Sequence, residues 1–384
     1  MRWIAPPLAL SGLAAAAWLL WPRTAAPPVE QIDAASLAQA FGTDTHGFAK
    51  VTGHWDYSFP RDTGPHPAYR GELWDLIGQL TDSQQRRYGF RLGFVRIGLT
   101  APGTRRESEL AATAVMTAGF ALIPCGNAEL IQDQRASRTA LGLAGAEGDP
   151  MRVWVEDWRL EQDADGALHI IARGGGGALE LTLQRAKAPV TADQAGLFAA
   201  GKGPGFYFYF EPRLSAQGRL VTAAGAAEVQ GSAWLDRAWG DVGAGLAGGA
   251  GQLAMNRFAL QLDDGSELMC IHLRRRAGGG TPIPACLLIG ADGKTRLLQR
   301  RELTLAPVDG SWASPLDGTR YPLRWSLAAP ALDLVLDIAP LREAQELRLG
   351  TPLWSGIVSL QGTRGGRTLT GSGRMDLSGY GTGT

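Results

Sequence analysis

At 384 residues the chain is longer than one ordinary hydrophobic core can fill, so two domains are expected. Its 37 Lys plus Arg against 37 Asp plus Glu leave no net field, which excludes partners gathered by charge, nucleic acid above all. With 52 Gly, 12 Trp and only 19% charged residues, the composition is that of many short strands joined by tight turns.

The chain opens on an address rather than on a fold. After Arg2 the stretch Trp3 to Trp21 carries no charge, and Pro22, Arg23 and the Pro27-Pro28 pair end it, as in a Sec-type export segment. Residues 1–26 are read as a signal peptide or as an inner-membrane anchor built on residues 3–21. The run is just long enough to span a bilayer, and Thr24-Ala25-Ala26 is a poor cleavage site before Pro27. Both forms place the globular part outside the cytoplasm, in the periplasm. Residues 27–46 read as a linker with a short helix over Asp33 to Phe41.

From about residue 50 the pattern is strand and turn. Along Tyr88 to Leu99 the apolar residues sit at even positions through Phe94 and then at Val95, Ile97 and Leu99, which predicts a bulge near Phe94. A second short helix is expected near Leu110 to Ala118. Leu179 to Gln184 and Leu332 to Ile338 alternate apolar and polar, as strands with one wet face do. Phe258 to Leu262 returns through Asp263-Asp264-Gly265-Ser266 into Glu267-Leu268-Met269, a hairpin. Ser215 to Gly231, poor in large apolar residues, is the expected divide, giving one barrel over 47–225 and another over 226–384. Barrels are expected because this many antiparallel strands must close or cover their edges.

Three cysteines, Cys125, Cys270 and Cys286, do not make a disulfide framework. A hairpin centred on Gly278 sets Cys270 opposite Cys286, where they either pair across strands or remain two buried thiols. No hydrolase elbow, phosphate loop or zinc-protease pair occurs, and the five histidines have no metal spacing. Neither a cofactor nor a metal is expected. Gly290 to Thr295 ends like a phosphate loop but is too short, and reads as a hairpin turn. Asp62-Thr63-Gly64 matches the aspartic-protease tripeptide without its apolar strand context.

Two clusters exceed what a plain barrel requires. The first runs from Gly53 through His54, Trp55, Arg61, Asp62 and His66 to Glu72 and Trp74, and the second is Gly231-Ser232-Ala233-Trp234-Leu235-Asp236-Arg237-Ala238-Trp239-Gly240. In these stretches the chain resembles the carotenoid 1,2-hydratases (hydroxyneurosporene synthases) and the related AttH proteins encoded beside ABC transporters. Phe206 to Leu214 (FYFYFEPRL), Phe258 to Met269, Tyr321 to Trp325 and Gln345 to Leu347 fall in the family's order.

The resemblance implies two lipocalin-like barrels in an all-β protein. In the hydratase branch it implies an acid that protonates a C=C bond before water adds, and in the other branch an exported, transporter-associated role. Such an acid must stay neutral in an apolar pocket beside aromatic faces that tolerate positive charge. Asp236, between Trp234 and Trp239, is the candidate proton donor, set against a structural pairing with a neighbouring Arg. Trp55, Trp74, Tyr207, Tyr209, Trp234, Trp239 and Trp354 are the candidate ligand contacts. His54, Arg61, Asp62, His66, Glu72 and Arg237 are expected to form polar networks around them.

Departures from the family pattern shape the expected function. Asp236-Arg237-Ala238-Trp239 stands where the family reads Asp-His-Glu-Trp, and Leu353-Trp354-Ser355-Gly356 where it reads Tyr-Trp-Glu-Gly. That loss of polar residues favours a non-catalytic extracytoplasmic protein binding a lipid, an isoprenoid or another long apolar molecule, serving an inner-membrane ABC permease. The alternative is a carotenoid 1,2-hydratase-like enzyme or a secreted hydrolase acting on an apolar substrate.

Overall fold

A computed structural model describes residues 46–103, 108, 111–126, 128–191, 205–242, 253–276, 278–308, 310–347 and 353–380. The export segment and the helix expected over Asp33 to Phe41 lie outside the described residues. Among the described residues no helix is long and apolar enough to cross a membrane.

Strands β1 (Gly71–Asp82), β2 (Arg87–Gly98), β3 (Ala114–Pro124), β4 (Ile131–Arg138), β5 (Ala144–Glu147), β6 (Arg152–Val155), β7 (Trp158–Gln162), β8 (Leu168–Gly174), β9 (Gly177–Arg185), β10 (Val190–Thr191), β11 (Phe206–Thr222) and β12 (Gly225–Gly240) form one antiparallel sheet. Its order is β4-β3-β2-β1-β12-β11-β9-β8-β7-β6-β5, with β10 beside β11. A second sheet takes β13 (Leu253–Leu262), β14 (Glu267–Arg275), β15 (Ile283–Ile289), β16 (Thr295–Leu298), β17 (Thr304–Pro307), β20 (Trp325–Ala329), β21 (Leu334–Pro340), β22 (Glu346–Leu347), β23 (Leu353–Arg364) and β24 (Arg367–Leu377). The pair β18 (Trp312–Ala313) and β19 (Arg320–Tyr321) stands apart. The protein is therefore all-β, with two tandem antiparallel sheets curled into half-open barrels of the lipocalin kind.

Each barrel is filled by its own side chains. The first packs Trp74, Phe90, Phe94, Phe120 and Trp158 inward, and the second Phe258, Trp325, Leu336, Trp354 and Leu360. A third apolar layer lies between the sheets, where Ile77, Phe210 and Trp234 meet Met269, Leu287 and Ile357. Fully burying a side chain of this kind contributes about 1.5–3 kcal/mol. A Cβ on Gly89 would sit 2.5 Å from Ile357, so glycine on β2 lets the second sheet approach this closely.

Three expectations are corrected, and the open question of the cysteines is answered. The first sheet does not end at residue 225: Ser215 to Gly231 is the β11–β12 hairpin, and β12 pairs with β1 and β11 through Gly240. Its Ala and Gly fill a tight turn rather than a linker. No bulge occurs near Phe94, because the β1–β2 and β2–β3 registers run unbroken. The even face stays inward, but there Arg96 follows Phe94 and pairs with buried Glu72, so the break in the apolar pattern comes from an ion pair inside the barrel. The register shift falls instead in β11, between Glu211 and Leu214. The helix expected near Leu110 to Ala118 is replaced by the start of β3 from Ala114 onward. Cys270 and Cys286 stand in register across β14 and β15 and are joined by a disulfide, while Cys125 is free.

Candidate functional site

Strand β12 divides the second sequence cluster between two faces. Side chains alternate across a strand, so Trp234, Asp236 and Ala238 point to the junction between the barrels, and Leu235, Arg237 and Trp239 into the first barrel. The two tryptophans expected to flank Asp236 are thus on opposite sides of the sheet.

On the barrel face, the chain before β1 is lashed across the strand ends. The 3-10 turn Arg61–Thr63 follows a cis Phe59-Pro60 bond. Trp74 Nε1 donates to the Thr63 carbonyl at 3.3 Å, Arg237 Nη2 to the Gly64 carbonyl at 2.7 Å, and the Tyr57 hydroxyl to the Phe208 carbonyl at 3.0 Å. Asp62 is fully buried and accepts from Ser58 N at 2.6 Å, Arg61 Nε at 2.9 Å, Trp55 Nε1 at 3.2 Å and His66 Nε2 at 3.0 Å. Burial works to raise its pKa, but the bonds from Arg61, Ser58, His66 and Trp55 outweigh it and bring the carboxyl to about 2.

His66 Nδ1 lies 3.2 Å from Arg237 Nη2, a donor, so the ring takes its proton on Nε2 toward Asp62. The ring stacks flat on Trp239, with centroids 3.9 Å apart. Glu72 joins Arg237 and Arg96 and accepts from the His66 N–H at 2.8 Å. Burial opposes ionisation there, yet the two arginines hold the carboxyl well below its usual range. The Arg237 guanidinium in turn lies 3.9 Å over Trp74.

Around Trp239 stand Trp55, Tyr57, Tyr207 and Tyr209, at centroid distances of 5.5, 5.8, 6.0 and 6.2 Å. Tyr209 and Trp239 are both completely buried. Neither the Tyr209 hydroxyl nor the Trp239 Nε1 has a hydrogen-bond partner among the described residues. Leaving a buried donor unpaired costs about 1–3 kcal/mol, so two in one aromatic wall mark a place where an acceptor is missing. Burial, and the nearby Glu211, push the Tyr209 hydroxyl far up, which keeps it a donor at every working pH.

Sequence reasoning missed Glu211. It follows Tyr209 on the same face of β11 just before the bulge, is completely buried, and accepts from Arg185 Nε at 2.7 Å and Nη2 at 2.9 Å. Burial raises its pKa against the pull of Arg185, the reverse of the shift at Asp62 and Glu72. The signal was present in FYFYFEPRL, where a lone acid interrupts an aromatic run.

The junction face holds a different network. Asp236, completely buried, accepts from Trp234 Nε1 at 2.9 Å, from Arg374 Nη1 at 3.3 Å and from both terminal nitrogens of Arg257. Arg374 also reaches Asp75 at 2.9 Å and Asp376 at 2.5 Å, and Arg91 grips Asp75 at 2.9 and 3.0 Å. Three carboxylates and three guanidinium groups from both sheets thus pair with one another. Between the sheets a pocket of about 20 Å³ lies beside Trp234 and Ile357, room for about one water.

The structure therefore brings Trp55, Tyr207, Tyr209 and Trp239 together with Arg61, Asp62, His66, Glu72 and Arg237. It does not add the others to that group. Trp74 and Trp354 belong to the two separate cores, Trp234 stacks on Phe210 in the junction at 4.9 Å, and His54 stands exposed beside Asp56. Among the described residues no group of His, Cys, Asp and Glu is placed to hold a metal.

These shifts fix the sign of the acid response. Asp62, Glu72, Asp75 and Asp376 all have folded values below their unfolded ones, so their stabilisation is complete above about pH 4.3 and is lost as pH falls through the folded values, near 2 for Asp62. Glu211 has the opposite sign, and its contribution fades as pH rises through its folded value. The four lowered carboxyls add no pH dependence between pH 7 and about 5 and should make the melting temperature drop steadily below about 4.3. A thermal scan series showing the steepest loss between pH 5 and 7 would contradict this assignment.

Comparison with known proteins bears on what such a frame can do. Residues 50–380 match the AttH-like family. The crystal structure of a protein assigned as an AttH from Nitrosomonas europaea is 25% identical, with a TM-score of 0.73, covering 87% of this chain and 100% of that one. Kievitone hydratase from Nectria haematococca is 15% identical, with a TM-score of 0.62 over 84% of this chain and 92% of its own. CghA, solved with Sch210972, is 13% identical at a TM-score of 0.50, over 80% of this chain and 88% of its own. Among curated proteins none matches. The expectation of a non-catalytic scaffold is corrected by these findings. Kievitone hydratase is by its name an enzyme, and it keeps this architecture at 15% identity, so a changed motif within the frame is no sign of lost catalysis.

Proposed function

The chain belongs to the AttH-like family, and from that premise we propose that it is an enzyme of the hydratase kind, adding water to a C=C bond of an apolar molecule at the aromatic end of the first barrel. The observation that carries this reading is the pair of buried, unpartnered donors, Tyr209 and Trp239, set in aromatic rings beside Glu211. Glu211 is the proton source, its carboxyl pushed up by burial against the pull of Arg185. The alkene π pair takes that proton and leaves a carbocation, which the faces of Trp239, Trp55 and Tyr207 stabilise. Water then bonds to the cationic carbon and returns its extra proton to Glu211, whose carboxylate Arg185 has meanwhile neutralised. The Tyr209 hydroxyl and the Trp239 N–H hold an oxygen of the substrate, and the Asp62–His66 pair positions Trp239 by stacking.

The uncharged export segment supports a site of action outside the cytoplasm, where an apolar substrate would pass to or from an inner-membrane ABC permease. The test is incubation of purified protein with a neurosporene-type polyene and with a prenylated phenol in heavy-oxygen water. An alcohol carrying one labelled oxygen is expected from at least one of them by mass spectrometry. Folded protein that labels neither would overturn the reading.

A further inference from the structure

The outer face of the first barrel carries a second place built for a ligand, of different chemistry. Where β1, β12, β11 and β9 run side by side beyond the junction, Thr81, Gln230, Gln217 and Thr182 stand in register as one row across four strands. Ser215 and Gln184 form the neighbouring row, and Gln85, in the left-handed region at φ 62°, turns its side chain over the edge from the β1–β2 turn. Together they line an open depression of about 550 Å³, within the usual size of small-molecule sites.

The lining is selective by what it contains. Every long side chain in it is an amide and every short polar one a hydroxyl, so it offers donors and acceptors together with no formal charge. The surroundings are charged: Arg219 stands between Glu228 and Glu180 in the next row, and Arg87 beside Thr81 and His169 beside Thr182 end the row itself, so neutrality stops at the edge of the depression. An anion or cation finds no counter-charge on this floor, and an apolar molecule would strip water from amides without replacing it. A vicinal diol is both donor and acceptor and matches a glutamine amide on each count. Strands lie about 4.7–4.9 Å apart, so the row repeats its amides at about the width of one pyranose ring.

We infer that this face binds a neutral oligosaccharide, laid across β1, β12, β11 and β9. The inference is independent of the reaction in the first barrel, since these side chains lie on the solvent face of the sheet. It is tested by isothermal titration and amide-shift mapping of the full chain with cellohexaose and maltohexaose, and with a sulfated oligosaccharide as the charged probe. One neutral probe should bind, with shifts confined to the strand residues of the depression. The Q217A/Q230A double variant, altered only at exposed positions, should bind it at least about tenfold more weakly, the worth of two hydrogen bonds, while melting as the parent does. Binding of the sulfated probe alone, no binding of either neutral probe, or equal affinity in the double variant would each overturn the inference.

Discussion

Glu211→Gln is expected to lower labelled-water uptake by about 10²–10⁴, the usual worth of a positioned general acid, with little change in apparent substrate affinity. The amide keeps the volume and still faces Arg185, but has no proton to give. Tyr209→Phe should instead weaken substrate binding as well as turnover, because it removes a donor that the substrate oxygen would satisfy. The split between the two variants is the useful measurement. If Glu211→Gln turns over as the parent does while the parent labels its substrate, the acid lies elsewhere.

The second large effect is on stability and falls on the other face of the same sheet. Asp236→Asn should destabilise the protein by roughly 3–5 kcal/mol, since breaking a buried ion pair strands its partner. Arg374 keeps Asp75 and Asp376, so the residue left exposed to this cost is Arg257, which pairs with Asp236. At about 2–4 °C per kcal/mol the melting temperature should fall by roughly 6–20 °C. Asp236→Asn folded and melting like the parent would show that the junction network contributes nothing to stability. Labelled-water uptake measured below the new melting temperature should persist, because Asp236 faces away from the aromatic site.

The contrast between Asp236 and Glu211 shows where reasoning along the chain stops. Both are lone acids among aromatic residues, and both look alike as text. Asp236 meets Arg374, 138 positions away, because β24 crosses the junction there. Glu211 meets Arg185, at the end of the neighbouring strand, and burial outweighs that partner.

Features that depend on near neighbours are legible along the chain. Strand period placed β9, β13 and β21, the Asp-Gly turn set the β13–β14 hairpin, and counting outward from Gly278 brought Cys270 to Cys286. The resemblance supplied the family and the two barrels. Tertiary structure alone decided that β12 closes the first sheet, because its partners are β1, more than a hundred residues earlier, and β11. It also decided which tryptophans share a wall. Alternation along β12 sends Trp234 and Trp239 to opposite faces, and only the packing of the second sheet says which face becomes a junction and which a barrel. The charge states followed last, because a carboxyl's pKa is set by the balance of burial against cations arriving from distant strands.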